Sequence, residues 1–488
     1  MKMMNRDNQQ KKQIKNSITF YGGAGTVTGA NFLLTLGDTK ILIDCGLTQG
    51  EKYSDEFNHE PFQYDVTQID YLFATHAHAD HIGLIPKLVK EGFVGTIFST
   101  PATRDLSEVM FADAVKILAY ESRNNKKGTK TSRAPLYEAD DVVKTLSLWK
   151  GIDYHKKMQL NQEISVFLKD AGHILGSAMF EFTYKKDRKI DNNEEKKQDK
   201  NTAKIVFTGD LGNSPSPLLR DTEDITDADY IVMESVYGDR NHEKREQREE
   251  LLKKAIEDIS SRRGVLMIPS FSIERTQLLL YLINNFVEDG ILPKIPVYLD
   301  SPLAIRVTDV FSRHTHLFNE GVQREIRGGD DIFDFPQFSN TKTVSESKSI
   351  LRQPNPKIIL AGSGMSSGGR ILNHEKQYLS DSKNMLLLVG YQAVGTLGRL
   401  IQGGAKEITI DDERIKVKAE IRTINGFSAH KDSDHLIEFV EKSKKTLKKV
   451  FVAMGEPKSS LFLVQRLRDY IGVNAVSPEK GDVIELDI

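Results

Sequence analysis

The chain has 488 residues, 39% of them apolar, a formal net charge of −2 and a single cysteine, Cys45. That length exceeds one ordinary core, so two domains are expected. No apolar run approaches the roughly 18 residues of a membrane span, the first 17 residues hold no apolar signal-peptide core, and the lone thiol excludes an internal disulfide and fits a reducing compartment, the cytoplasm. Near-zero net charge excludes a chain coated in basic surface but leaves room for a local basic groove that binds nucleic acid.

From about Ser17 to Tyr230 the pattern is one of many short strands and few helices. Gly22, Gly23, Gly25 and Gly29 read as turn residues. A dinucleotide fingerprint is excluded by their spacing and by strand-like Asn31-Phe32-Leu33-Leu34 where a helix should open. Phe32 to Leu36 and Lys40 to Ile43 read as a hairpin. Ile69 to Ala74 reads as a buried strand, and Ile82 to Lys90 has helical spacing. Ser122 to Arg133 reads as a polar loop. So do residues 185 to 203, between strands ending near Tyr184 and beginning near Ile205. After about Gly238 the pattern alternates: helix Leu251 to Ser260, strand Val265 to Ile268, helix Thr276 to Phe286, strand Val297 to Leu299, helix Ala304 to Phe311, strand Lys357 to Ala361, and a helix from about Arg370. This predicts a parallel sheet. Met385 to Val389 reads as a strand, and the segment from there to the C-terminus returns to mixed structure.

The most informative stretch is His76-Ala77-His78-Ala79-Asp80-His81. Imidazole and carboxylate together suit zinc and its borderline neighbours. The hexad sits where an apolar strand turns into a helix, so its side chains can converge. Four more acidic or histidine positions share that setting, an apolar run followed by a turn: Asp44 after Ile41-Leu42-Ile43, His173 in Gly172-His173-Ile174-Leu175-Gly176, Asp210 after Ile205-Val206-Phe207, and Glu234 after Ile231-Val232-Met233. Any one alone reads as a cap or turn residue; together and in this order they are specific.

This set resembles the metallo-β-lactamase superfamily, and more narrowly its β-CASP nucleases, over roughly residues 17 to 488. The family's added motifs match Glu234, His374 after Gly362-Ser363-Gly364-Met365-Ser366-Ser367-Gly368-Gly369, and His430 in Gly426-Phe427-Ser428-Ala429-His430. The likeness is nearest to bacterial and archaeal relatives of the endonuclease that cleaves pre-mRNA 3′ ends. The KH modules of the archaeal forms have no room before Ser17. The resemblance implies an α/β fold, a metallo-β-lactamase αββα sandwich over 17–238 and 376–488, with an inserted Rossmann-like parallel α/β β-CASP domain over 239–375. It implies two zinc ions, with manganese as the alternative. His76, His78 and His173 would hold one. Asp80, His81 and His430 would hold the other, and Asp210 would bridge them. Two metals roughly 3.5–4 Å apart suit phosphodiester hydrolysis. Asp44 would orient a ligand histidine. The implied catalytic set is Asp80, Asp44, His374 on the scissile phosphate and leaving oxygen, and Glu234 holding or tuning His374. The Gly-rich turn, through Ser366, Ser367, Gly368, Gly369 and Arg370, suits a phosphate at a helix start. Ser270 and Arg275 form a second such candidate, which departs from the family by carrying Glu274, a negative charge near the expected RNA path. Met454-Gly455-Glu456 departs too, where relatives often carry a histidine before Gly-Glu. The remaining histidines, His59, His155, His242, His314, His316 and His435, read as surface or satisfied core.

The reading is therefore a metal-dependent ribonuclease cutting single-stranded RNA between two domains, as an endonuclease with exonuclease action open. Its rivals are a DNA nuclease, disfavoured by His430, which the DNA-repair branch generally lacks; a small-molecule hydrolase, disfavoured by the inserted domain; and a non-catalytic scaffold, disfavoured by the filled ligand positions. The residues are silent on oligomeric state and compatible with a homodimer. No membrane partner is expected.

Overall fold

Near-continuous burial along the strands sets the architecture. Asn31–Leu36 is buried at every position but Thr35, as expected of strands covered on both faces. The computed structural model describes residues 16–50, 53–124, 134–185, 201–242, 247–292, 294–393 and 395–488. Two seven-stranded sheets face each other. In spatial order the first runs Val483–Glu485, Asn16–Gly22, Asn31–Leu36, Thr39–Ile43, Tyr71–Phe73, Thr96–Ser99, Trp149–Gly151. The second runs Ala475–Val476, Lys449–Val452, Tyr230–Met233, Thr202–Phe207, Ala178–Lys185, Ile164–Asp170, Lys157–Gln159. A layer of phenylalanines fills the space between them. Phe73 meets Phe180 and Phe182 edge-on at 5.1 and 5.0 Å between ring centres, a favoured aromatic geometry. Helices Ile85–Lys90 and Ala139–Ser147 cover the first sheet, and Ser433–Glu441 and Pro457–Ile471 cover the second. This is an αββα sandwich.

The third sheet has six strands, in order Phe338–Asn340, Val297–Asp300, Lys357–Ala361, Val265–Pro269, Met385–Leu388, Glu420–Thr423, each paired in parallel with its neighbours. The expected return to the sandwich at 376 is corrected here. Met385–Leu388 is buried throughout and pairs with Val265–Pro269, so the helix Ile371–Tyr378 is a crossover inside this sheet and not its edge. The chain reaches the sandwich again only past Thr423.

The expectation of few helices before Tyr230 also needs correction. Pro101–Asn124 is a helix of 24 residues. Only its first turns bury apolar groups fully (Ala102, Leu106, Phe111), and its polar outer face hid the period. It carries the inserted domain: Arg306 pairs with Asp113 at 2.8 Å and His314 with Asp105 at 2.9 Å. The polar stretches 125–133 and 186–200 lie outside the described residues, while 122–124 end this helix. Among the described residues no helix is long and apolar enough to cross a membrane.

Candidate functional site

The site forms where strands of both sandwich sheets end. Thr39–Ile43 delivers Asp44, Tyr71–Phe73 delivers the hexad, and Thr202–Phe207 and Tyr230–Met233 deliver Asp210 and Glu234. His173 lies in the turn between Ile164–Asp170 and Ala178–Lys185, where its amide donates to Ser177 Oγ at 3.0 Å. Backbone meets backbone here. A Cβ on Gly46 would stand 1.6 Å from the Asp80 carbonyl oxygen, so this position admits only glycine. The Cys45 amide donates to the His81 carbonyl at 2.8 Å, and Asp44 takes a positive φ of 59°.

Four ligand atoms, from His76, His78, His173 and Asp210, lie within 4.8 Å of one another. His76 Nε2 and His173 Nε2 stand 3.0 and 3.2 Å from His78 Nδ1. They approach Asp210 Oδ2 at 3.4 and 3.5 Å. His173 Nδ1 faces the Ala429 carbonyl at 3.2 Å, which fixes the ring with Nε2 inward. Burial pushes the pKa values of all three imidazoles down, keeping them in the neutral form that binds metal. Three imidazoles and a carboxylate around one point fit a zinc-like cation.

The other acids and histidines divide differently from the sequence expectation. Asp44 accepts from Thr75 Oγ1 at 2.8 Å and stands 2.7 Å from His81 Nδ1. His81 Nε2 is left buried without a hydrogen-bond partner, 3.4 Å from Asp210 Oδ1. His430 does not join Asp80 and His81. Its Nδ1 faces Glu234 at 3.1 Å, and Asp210, Glu234 and His430 form their own group. Although burial opposes the charge, Glu234 and Asp210 raise His430 to about 9. The expected Glu234–His374 pairing is therefore corrected: the partner of Glu234 is His430.

His374 belongs to another cluster. It is 2% exposed and its Nε2 stands 2.7 Å from Asp300 Oδ2. Asp300, fully buried, also accepts from Arg370, Thr341 and Ser347 at 2.6–2.7 Å. Burial raises its pKa, but these bonds outweigh that and hold the carboxyl well below the usual range. Arg370 is thus spent on Asp300 and on the carbonyls of Thr341 and Lys342, so it is not a free phosphate contact. Ser366 is buried against Glu375. Of that turn, Ser367 and Gly369 stay exposed and Gly368 faces open space. The second segment is internal as well. Ser270 bonds Thr276, and Arg275, 7% exposed, lies beside the Phe427 ring. Glu274 is buried, pushed up to about 8 by burial, and accepts from the Leu175 amide. It ties the insert to the turn that carries His173, where with Arg275 it lines a small recess.

Sequence reasoning missed Asp300, although it ends an apolar strand before a turn, as Asp44 does. It also missed Arg248, a buried side chain that reaches the carbonyls of Gly426 and Pro215. Met454, the departure from the family noted above, is buried against Gly23.

Comparison with known proteins places the chain in a family. Residues 33–218 match the metallo-beta-lactamase superfamily domain, 276–401 the Beta-Casp domain, and 414–478 the Zn-dependent metallo-hydrolase RNA specificity domain. "Ribonuclease TTHA0252" of Thermus thermophilus is 35% identical over 422 residues, 86% of this chain and 90% of that protein. The chain belongs to the β-CASP family. Another β-CASP relative, "Transcription termination factor FttA" of Methanosarcina mazei, is 31% identical over 91% of this chain and 68% of its own length. A crystal structure of a protein of unknown function from Enterococcus faecalis V583 shares the fold at a TM-score of 0.51 and 12% identity, over 97% of this chain and 100% of that one. Family membership carries with it divalent metal binding, in line with the histidine–aspartate cluster.

Proposed function

We propose that this chain is a metal-dependent ribonuclease that hydrolyses phosphodiester bonds of single-stranded RNA between the sandwich and the inserted sheet. The observation that carries the reading is the convergence of His76 Nε2, His78 Nδ1, His173 Nε2 and Asp210 Oδ2, in a chain whose 414–478 segment matches an RNA specificity domain. These four residues would hold one divalent ion, zinc by donor set with manganese as the alternative. Asp80, His81 and Asp210 would hold a second, His81 through Nε2 once it gives up the proton that Asp210 and Asp44 favour on its ring. When bound, such ions make a water acidic near neutral pH and draw charge from the attacked phosphate.

The chain's own residues do the rest. Asp44 and Thr75 fix the His81 ring. Glu234, fixed by the Leu211 amide at 2.6 Å, holds His430 protonated beside Asp210. That imidazolium, beside Asp210, is the group we assign to protonating the leaving oxygen, in preference to His374, which is buried in the Asp300 cluster of the inserted sheet. The segment 425–432 arrives only after the inserted sheet, so both ends of the chain are needed to close the site. Incubating metal-loaded protein with 5′-labelled RNA and DNA of one sequence tests this. Cleavage of RNA with little of DNA is expected, and the product ladder separates endonuclease from exonuclease. Equal cleavage of both, or of neither, contradicts it.

A further inference from the structure

A cavity lined by residues from the loop after Asn16–Gly22 and from the 57–64 segment plays no part in the chemistry above. It holds about 260 Å³. That is near the lower end of small-molecule pockets, roughly 300 Å³. Its wall is aromatic: Tyr21 and Tyr64 lie 4.8 Å apart between ring centres, and Phe62 and Tyr64 5.4 Å. One buried amide in the wall is half-satisfied. Asn31, 7% exposed, gives Nδ2 to Tyr64 Oη at 3.1 Å, while its Oδ1 is buried with no hydrogen-bond partner. A buried acceptor without a donor costs about 1–3 kcal/mol, and a ligand that brings a donor relieves it.

The wall also says what the ligand is not. Lys87, the buried cation there, is used up by the carbonyls of Asn58 and Glu60 and by Glu91, so the interior has no spare charge for a phosphate. Lys480 sits at the rim over the Phe57 ring, 5.2 Å from its centre, where a polynucleotide backbone and not a base would pass. A flat uncharged group with donors on its edge fits the interior, with aromatic faces to stack on.

The pocket is wired to the reaction centre. Ala30, next to Asn31, donates its amide to the Asp80 carbonyl at 2.9 Å, and Gly46 in the pocket wall lies against that same carbonyl. We propose that this cavity is a nucleobase pocket that stacks one base of the RNA against Tyr21, Phe62 and Tyr64 and bonds its edge to Asn31. The proposal rests on the ribonuclease reading.

The test uses full-length protein carrying Asp210→Asn, so that RNA is not cut, and single-stranded RNA substituted with 4-thiouridine or 6-thioguanosine. Irradiation followed by peptide mapping should place crosslinks at Tyr21, Phe62 or Tyr64. Thr26→Trp, added in the same background to fill the cavity from its half-buried rim, should weaken binding of that RNA by about tenfold or more, in line with one lost stacking contact, with melting unchanged. RNA bound and crosslinked only elsewhere, with Thr26→Trp binding as tightly as its parent, overturns the pocket and leaves the nuclease reading standing. RNA bound nowhere overturns both.

Discussion

Two histidines that resemble one another in sequence should fail in different ways. His374→Ala removes the 2.7 Å bond to Asp300 Oδ2 and a ring stacked on Tyr378. A hydrogen bond to a charged group contributes about 1.5–3 kcal/mol, and the space left by a buried ring adds about 1 kcal/mol or more. The variant should therefore be less stable by about 3 kcal/mol. It should keep its metal and cut RNA within a few-fold of wild type per folded molecule. His430→Ala should differ in rate: it leaves buried Glu234 without its imidazolium, so some stability is lost there too, but loss of a general acid costs about 10²–10⁴-fold in rate per folded molecule. Urea unfolding followed by circular dichroism, with cleavage of labelled RNA on the same samples, separates the two. A His374→Ala variant of unchanged stability that loses a hundredfold in rate would refute the assignment, as would full cleavage by His430→Ala.

Metal should load in two steps. Zinc added to stripped protein should fill the His76, His78, His173 and Asp210 position first. The second ion, with only Asp80, His81 and a shared Asp210, should bind about tenfold more weakly or worse, since a closed zinc site takes four ligands; calorimetry reads both. Met454→His should narrow that gap, and an unchanged second affinity would show that position 454 does not reach the metal. Asp300 should mark the acid stability of the insert. Its carboxyl is held below its unfolded value, so its contribution is present above about pH 4 and is lost as pH falls through the folded value. The stability difference between wild type and Asp300→Asn should be constant from pH 5 to 7 and shrink below pH 4; a difference that grows on acidification would reverse the sign.

The metal position was legible because the chemistry demands particular residue types at strand ends. The hexad, His173 and Asp210 can be read off without knowing which strands are neighbours. Pairing of the remaining groups could not be read that way. Tyr230–Met233 lies between Thr202–Phe207 and Lys449–Val452, so Glu234 opens toward Asp210 and the returning segment with His430. Val297–Asp300 lies against Lys357–Ala361, so Asp300 ends beside the turn that leads to His374. Sheet order is a long-range property, and because of it Glu234 meets His430 while His374 meets Asp300. Arg370, Arg275 and Glu274 misled for a related reason. A charge after a strand reads as a surface contact, yet buried Asp300 takes up Arg370, and the seam between the domains encloses Arg275 and Glu274.

The central claim is that RNA cleavage depends on a metal held by His76, His78, His173 and Asp210. Wild type and His173→Ala, both stripped by chelator, would be titrated with zinc while bound metal and cleavage of single-stranded RNA are followed together. Wild type should be inactive when stripped and recover as the first and second ions bind, and His173→Ala should bind less metal and stay inactive at the same zinc concentration. Cleavage by the stripped protein, or a His173→Ala variant that binds zinc and cuts RNA as wild type does, would contradict the account.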